Sequence, residues 1–244
     1  MEKSNKATSL ERVKSVAEWL LRTRVNKTPY SPIIVQHPFT SSGLVYVSDI
    51  DQLIDITNSG ENLKAWHGFI SKKIERAKSA YEIFMLLNKP YVLTFLKYAR
   101  QYLSVKDFSE ILSEAWIISE DPNMDSNVSK SELTEMFENA DREVLMTETE
   151  RKLLSGFEET VTVYRGVTNY NAKNIKALSW TTDKEKAEWF AMRFGNSGTV
   201  YIAQIERENI LAYFIRRNES EVVLNPKKLK NIQIYKEIKS SKKR

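Results

Sequence analysis

The spacing of apolar residues changes near Val161, and this change limits the folds open to the chain. Before it, apolar residues recur at helical intervals, as in Leu63, Trp66, Ile70, Ile74, Ala77, Tyr81 and Phe84. After it, β-branched and aromatic residues dominate short segments such as 199–205, which favours strands. The sequence therefore predicts an α+β protein with a helical N-terminal part and a β-rich C-terminal part.

The boundary between these parts is placed loosely near residue 158. The sequence thus predicts a helical region over 1–158 and a β-rich core over 159–244, the latter ending in a basic tail. A chain of 244 residues is long enough for one large domain or two small ones. No flexible linker is visible at the boundary, so we expect the helical part to pack on the β-rich core.

Capping patterns indicate where individual helices begin. Thr8 with Glu11, and Thr147 with Glu150, have the spacing of a capping box, in which the two side chains satisfy each other's backbone N–H groups. Apolar residues follow each pair, so both pairs predict the start of a helix. The segment 28–42 contains proline and serine and is interpreted as a connection.

The composition excludes several kinds of active site. The chain has no cysteine, so thiol nucleophiles, disulfides and thiolate metal sites are excluded. With only His37 and His67, a histidine-rich metal site is excluded too, and a serine–histidine–aspartate triad would have to use one of the two. We interpret both as surface or packing residues.

The lengths of the apolar runs bear on membrane contact and on location. No run approaches the length that crosses a bilayer, and residues 1–14 lack the apolar segment of a Sec-type signal peptide. We therefore expect no membrane partner and a cytoplasmic protein. Delivery into a host cell by another route stays open.

The formal net charge is +5, and the excess lies largely in the lysine-rich C-terminal tail. A basic tail can hold an anionic partner such as nucleic acid. Aromatic residues are not interleaved with the terminal lysines, so we favour a solvated terminus over nucleic-acid binding.

Three short segments of the β-rich part carry the side chains best suited to chemistry. They are Tyr164–Gly166 (Tyr-Arg-Gly), Ser179–Thr181 (Ser-Trp-Thr) and Glu219–Leu224 (Glu-Ser-Glu-Val-Val-Leu). In each of the last two, polar side chains two positions apart are expected on one face of a strand. Each segment alone is also explained by ordinary strand structure, namely a surface ion pair, hydroxyl pairing or a charged strand edge.

The order arginine, serine, glutamate on these segments resembles the mono-ADP-ribosyltransferases, and in particular their phage and bacterial members. These enzymes split NAD and transfer its ADP-ribose to a protein side chain. The resemblance covers roughly residues 161–238, about a third of the chain. It implies a core of two antiparallel-rich sheets, NAD as the cofactor consumed in the reaction, and a protein acceptor that is modified through arginine.

The resemblance also implies which residues bind NAD. Arg165 and the adjoining Gly166 would bind the cofactor, with a guanidinium whose rigid fork suits phosphate oxygens. Ser179 and Thr181 would support the site and contact the cofactor. Glu221 would hold the nicotinamide ribose and act as the catalytic carboxylate, since a fixed negative charge stabilises an oxocarbenium-like ribose.

A second group would act on the acceptor. By the same resemblance, Glu219 orients or deprotonates the target arginine, so that the catalytic set is Arg165, Ser179, Glu219 and Glu221. Tyr213 and Phe214 fall in the segment that recognises the protein target. Glu219 and Glu221 are expected to lie close together on one face, dividing the work between two carboxylates.

A weaker pattern lies between two predicted helices. Asp121, Asn123, Asp125 and Glu132 stand at ligand positions of an EF-hand calcium loop. A serine replaces the glycine that normally permits the sharp turn, and no second loop exists to pair with it. We therefore favour a polar turn in which Ser129 and Glu132 form a capping box.

Two classes of function remain in competition. The first is an NAD-dependent protein ADP-ribosyltransferase. The alternative is a non-catalytic interaction protein with the same fold that binds a protein or nucleic-acid partner. Cleavage of NAD distinguishes them, but the sequence leaves the acceptor protein open, as well as the choice between transfer and NAD hydrolysis.

Overall fold

A computed structural model describes residues 6–194 and 197–239 of the chain. Within them, helices and antiparallel strands both occur, which confirms the predicted α+β class. The chain divides into two compact units, and the division falls between Glu120 and Asp121. In the described part of the chain, no helix combines the length and apolar character needed to span a membrane.

The helices of the N-terminal unit follow the predicted apolar spacing. They are α1 (Leu10–Leu21), α2 (Gly60–Arg76), α3 (Ala80–Phe84), α4 (Val92–Ala99) and α5 (Val105–Ile118). α1 buries Val13, Ala17 and Leu20, which recur at helical intervals. The long stripe from Leu63 to Phe84 is shared by two helices, because Ser79 caps a new helix at α3.

The predicted capping box at Thr8 and Glu11 is not formed. Ser9 is the N-cap of α1 and makes no side-chain cap hydrogen bond. The Thr8 hydroxyl instead donates to the Asp107 carboxylate and accepts a hydrogen bond of 2.7 Å from Ser104 N. Thr8 thus joins the starts of α1 and α5, a contact between distant segments that local spacing does not predict.

The segment between α1 and α2 is β-structure. It contains β1 (Asn26–Thr28), β2 (Ser31–His37), β3 (Thr40–Ser42), β4 (Leu44–Val47) and β5 (Gln52–Asp55). β1–β3 form a three-stranded antiparallel sheet, and β4 pairs with β5. The interpretation of 28–42 as a connection is therefore wrong, and the region 1–158 is not uniformly helical. Only Val35 and His37 of β2 are buried, so the apolar alternation that marks a strand is absent.

The C-terminal unit combines four further helices with a sheet in its described residues. The helices are α6 (Lys130–Asn139), α7 (Arg142–Leu145), α8 (Glu148–Ser155) and α9 (Lys184–Met192). The strands are β6 (Thr160–Thr168), β7 (Ser179–Thr181), β8 (Ser197–Glu206), β9 (Ile210–Phe214), β10 (Glu221–Leu224) and β11 (Lys230–Lys239). The capping boxes of Ser129 with Glu132 and of Thr147 with Glu150 are both present.

The strands of this unit pair as one antiparallel sheet in the order β11-β8-β6-β7-β10-β9, not as two separate sheets. β6 and β7 share only the register pair of Tyr164 with Thr181. The sheet therefore consists of two three-stranded halves that meet at a single residue pair. The strand that carries Arg165 meets the strand that carries Ser179 at this junction.

The position of the division between units has a clear physical reason. All five residues of β9 are buried, and α6 and α8 contact this strand. These helices therefore share a core with the sheet and belong to the same compact unit. The structural division consequently precedes the boundary placed near residue 158.

Candidate active site

Ser179 and Glu221 meet across the β7–β10 pair. The Ser179 hydroxyl donates a hydrogen bond of 2.5 Å to Glu221 Oε1. In the strand register, Glu221 lies opposite Thr181 and Val223 lies opposite Ser179. Ser179 and Glu221 are therefore diagonal neighbours on one face of the sheet, within reach of each other's side chains. This hydrogen bond orients the carboxylate of Glu221.

Arg165, on β6, reaches the same place. Its Nη1 donates a hydrogen bond to the Ser179 carbonyl oxygen, and the residue is only 9% exposed. Burial lowers the pKa of Arg165 to about 10, and the negative charges of Asp121 and Glu221 oppose that shift. The guanidinium thus stays charged at neutral pH.

One N–H group of Arg165 is unsatisfied. Its buried Nε has no hydrogen-bond partner among the described residues. Buried N–H groups are nearly always paired, so an unpaired one on a permanent cation indicates a place for an anionic ligand. A guanidinium in this position has the charge and the N–H geometry that an anionic group requires.

Glu219 lies in a tight turn between β9 and β10. Asn218 and Ser220, on either side of it, have φ angles of 54° and 46°, a left-handed conformation that is uncommon for residues other than glycine. The Glu219 carbonyl accepts a hydrogen bond of 2.7 Å from the Thr181 hydroxyl, and the Ser220 carbonyl accepts one of 3.2 Å from Thr182 N. The turn is thereby attached to the end of β7.

The two glutamates have different surroundings. Glu219 forms an ion pair of 3.3 Å with Arg217, and its side chain is 21% exposed. Glu221 starts β10, where it bonds to Ser179. Because Ser220 is left-handed, the alternation of strand side chains does not extend back to Glu219. The expectation that both carboxylates share one strand face is therefore wrong.

Thr181 is engaged within the protein. It is 5% exposed, donates to the Glu219 carbonyl and accepts a hydrogen bond of 3.0 Å from Asp183 N. Its hydroxyl therefore supports the turn that carries Glu219. This agrees with the predicted supporting role and not with direct contact to a cofactor.

Gly166 serves helix packing. A Cβ atom at this position would lie 2.0 Å from the Ala187 carbonyl oxygen and 2.6 Å from Ala191 N. Only glycine lets α9 approach β6 so closely. The predicted contact of Gly166 with a cofactor is therefore blocked on this side of the strand, which α9 covers.

The structure places Tyr213 and Phe214 in the core. Tyr213 is 6% exposed and Phe214 is 3% exposed, and the Tyr213 ring contacts that of Phe157 edge to face with 5.0 Å between centroids. Their assignment to target recognition is therefore wrong for any direct side-chain contact. The exposed residues of this segment are Arg216, Arg217 and Asn218, which follow β9.

The candidate calcium loop is used for structure. Asn123 Oδ1 accepts a hydrogen bond of 2.8 Å from Leu178 N, and Glu132 Oε2 accepts one of 2.9 Å from Ser129 N in the capping box. Asp125 Oδ1 accepts hydrogen bonds from the backbone that follows it. Over residues 6–194 and 197–239, no cluster of three or more histidine, aspartate or glutamate residues is arranged to hold a metal ion. The capping box of Ser129 and Glu132, which the sequence analysis favoured over a calcium loop, is therefore present.

The first residue of that loop belongs to the candidate site instead. Burial raises the pKa of Asp121, and the positive charges of Arg165 and Arg193 oppose this effect. Although Asp121 as a whole is exposed, its carboxylate is thus within the electrostatic reach of Arg165. Sequence reasoning considered Asp121 only as a calcium ligand, because no local pattern links it to an arginine on β6.

Lys130 also lies near Arg165. Burial and the positive charge of Arg165 both lower its pKa. Its Nζ donates hydrogen bonds of 2.6 Å to Asn174 Oδ1 and of 2.9 Å to the Lys176 carbonyl. Lys130 therefore holds the segment that leads into β7, and it adds a second positive charge to the site.

Both histidines lie in the N-terminal unit. His37 is fully buried and packs edge to face on Trp66, with 5.0 Å between ring centroids. Its Nδ1 accepts a hydrogen bond of 3.1 Å from Phe39 N, so the proton is on Nε2, which donates to the Leu21 carbonyl at 3.2 Å. Burial lowers the pKa of His37 to about 4. The packing role predicted for His37 is confirmed.

Arg165, Ser179 and Glu221 thus form one connected group, although they come from three strands that are distant in sequence. No protein-family model, curated protein or solved structure matches the chain. What this group can do must therefore be derived from its own chemistry.

Proposed function

We propose that this chain is an NAD-dependent mono-ADP-ribosyltransferase that modifies a protein through arginine. The observation that carries the proposal is the hydrogen bond from Ser179 to Glu221, with Arg165 bonded to the same serine. The order of the three motifs suggests this chemistry, and their convergence supports it.

Arg165 would hold the diphosphate of NAD. It is a buried permanent cation with an unsatisfied Nε, and Lys130 adds positive charge nearby. A guanidinium also offers a fork that matches two phosphate oxygens. NAD would supply an ADP-ribose group whose bond to nicotinamide breaks, with the electron pair leaving on nicotinamide.

Glu221 would stabilise the positive charge that develops on the ribose. A carboxylate aimed in advance is more effective than one that must reorient during the reaction. The Ser179 hydroxyl provides this orientation through its hydrogen bond to Oε1. Glu221 would also accept a hydrogen bond from a ribose hydroxyl.

Glu219 would engage the acceptor. Its ion pair with Arg217 demonstrates that this carboxylate can hold a guanidinium at the protein surface. A target arginine would replace Arg217 as its partner. The proton released when the guanidinium nitrogen bonds to the ribose carbon would pass to Glu219.

The test measures NAD consumption and transfer of labelled ADP-ribose to an extract or to a small guanidine such as agmatine. Glu221→Gln should lower both rates about 100-fold or more, which is the usual loss when a preorganised group is removed. Glu206→Gln is the matched control, since Glu206 forms an ion pair with Lys230 at 2.7 Å in the same sheet. It should keep the parental rates.

Two results would count against the proposal. One is a Glu221→Gln variant as active as the parent. The other is a parent that neither cleaves NAD nor melts at a higher temperature in its presence, since a ligand of the folded state raises the melting temperature. The second result would favour the non-catalytic interaction protein.

A further inference from the structure

Glu150, in α8, is a buried carboxylate with contacts beyond its capping box. It is 0% exposed, and its Oε2 accepts a hydrogen bond of 2.8 Å from Thr147 N, as the capping box requires. Its Oε1 accepts one of 3.1 Å from Ile215 N and one of 3.2 Å from Arg216 Nε. Arg216 Nη2 completes a two-point contact with Oε2 at 3.2 Å.

These contacts keep the carboxylate ionised inside the protein. Burial by itself would raise the pKa of Glu150, but the hydrogen bonds from Arg216, Thr147 and Ile215 lower the pKa below its ordinary value. Arg216 also donates a hydrogen bond of 3.1 Å to the Leu145 carbonyl. The start of α8 is thus joined firmly to the chain just after β9.

The joined segment carries Glu219. Ile215 and Arg216 follow β9 directly, and Asn218 N donates a hydrogen bond of 2.9 Å to the Ile215 carbonyl. Glu150 therefore holds the start of the turn, while Thr181 holds its far end through the Glu219 carbonyl. Glu219 thus lies at the second attachment, four residues after the first at Ile215.

Stability is an incomplete explanation for this arrangement. Taking the Glu150 carboxylate out of water is costly, and its partner Arg216 keeps 26% of its side chain exposed, where solvent screens the attraction. A bidentate arginine–carboxylate contact does, however, restrict geometry strongly. The contact between Glu150 and Arg216 is therefore suited to hold one conformation of a turn that contains two left-handed residues.

We propose that Glu150 is a positioning residue: through Arg216 and Ile215 it holds the turn so that Glu219 meets the acceptor guanidine. Glu150 touches neither NAD nor the acceptor. The inference rests on the proposed transferase function and adds to it the residue that positions Glu219. α8 controls how much of the cleaved ADP-ribose passes to the acceptor and how much passes to water.

The first test compares two rates in each variant, namely transfer of ADP-ribose to agmatine and hydrolysis of NAD without acceptor. In Glu150→Gln the ratio of transfer to hydrolysis should fall about 10-fold or more, because slight misplacement of a reacting group costs up to about 100-fold in rate. The KM for NAD should stay within about twofold of the parental value, since Glu150 does not contact NAD and its replacement leaves NAD binding unchanged.

The matched control is Glu132→Gln. Glu132 has the same capping-box position in α6 as Glu150 has in α8. Glutamine can also complete a capping box, so this variant removes only the charge at that position, and the ratio of transfer to hydrolysis should stay at the parental value. An equal fall of both rates in Glu150→Gln, or an unchanged ratio, would overturn the proposal. Arg216→Lys keeps the charge without the fork, and it provides a second variant with the same expected loss should Glu150→Gln fail to fold.

Hydrogen exchange separates this inference from the proposed function. In Glu150→Gln the amides of 218–221 should exchange about 10-fold faster than in the parent, because the turn opens more readily. Glu132→Gln should leave them unchanged. Unchanged exchange in Glu150→Gln would refute the positioning role. Faster exchange in a protein that does not cleave NAD would refute the transferase proposal, and with it the effect on transfer.

Discussion

Ser179 donates a hydrogen bond of 2.5 Å to Glu221 although the two residues are 42 positions apart in the chain. The same serine accepts a hydrogen bond from Arg165 at its backbone carbonyl. Ser179 thus connects Arg165, which bonds to its carbonyl, with Glu221, which bonds to its hydroxyl. Three predictions concern this group and the packing beside it, and a fourth concerns the buried His37 of the N-terminal unit.

Ser179→Ala should slow NAD cleavage more than it weakens NAD binding. The hydroxyl orients Glu221, and loss of one positioned donor typically costs about 10²–10³-fold in kcat at an electrostatic site. Steady-state kinetics with NAD alone provide the measurement. Ser155→Ala is the control, since the Ser155 hydroxyl donates to the Lys152 carbonyl of its own helix at 2.8 Å. An unchanged kcat in Ser179→Ala would contradict the orienting role.

Arg165→Lys should lose most of the affinity for NAD although the charge is kept. Lysine has no rigid fork and cannot reproduce both the bond to the Ser179 carbonyl and the free Nε–H. The rise in melting temperature caused by millimolar NAD should therefore be largely lost. Full retention of that rise in Arg165→Lys would count against diphosphate binding at Arg165.

Gly166→Ala should destabilise the C-terminal unit by about 1–3 kcal/mol or more, the usual cost of overpacking. The added methyl would lie 2.0 Å from the Ala187 carbonyl, which belongs to backbone and cannot rotate away. Urea unfolding provides the measurement. Gly156→Ala is the control, since its nearest contact would be an ordinary 3.5 Å, and we expect a change within about 0.5 kcal/mol. Equal stability of the two variants would contradict this packing.

Acid should destabilise the N-terminal unit through His37. Its pKa falls from 6.5 to about 4 on burial, so the folded state disfavours protonation. The free energy of unfolding contributed by this histidine is complete above pH 6.5 and is lost as the pH falls towards 4. The total loss is about 3 kcal/mol, from the size of the shift.

The measurement is urea unfolding of the parent and of His37→Gln at several pH values between 7 and 4. Glutamine does not titrate in this range, so the variant should be less stable at pH 7 but less sensitive to acid. If both proteins lose stability equally between pH 6.5 and pH 4, another group causes the effect.

Much of the C-terminal unit could be predicted because its signals are local. The Thr147–Glu150 capping box and the alternation in β8 and β11 depend on residues a few positions apart. The strands β1–β3 could not be predicted, since their hydrogen bonds join segments whose apolar pattern is weak. Thr8 failed as a cap for the same reason, because its partner is the distant Asp107.

The candidate site divides in the same way. Arg165, Ser179 and Glu221 could be named as candidates from the resemblance of their motifs, because that resemblance depends on residue types and on their order in the chain. The burial of Tyr213 and Phe214 could not be predicted from the sequence, since α6 and α8 contact β9 only in the folded chain. The proximity of Asp121 and Lys130 to Arg165 was not predicted either. Electrostatic interactions act through space and produce no pattern among neighbouring residues of the sequence.

The amino-acid sequence by itself determined the α+β class, the main strands of the C-terminal unit and the choice of Arg165, Ser179 and Glu221 as candidate site residues. Tertiary structure alone decided that Ser179 bonds to Glu221, that a left-handed turn separates Glu219 from its neighbour, and that Glu150 anchors this turn. The physical reason is the distance along the chain over which each kind of interaction acts. Propensity and periodicity act over a few residues, whereas hydrogen bonds and burial join residues that only folding brings together.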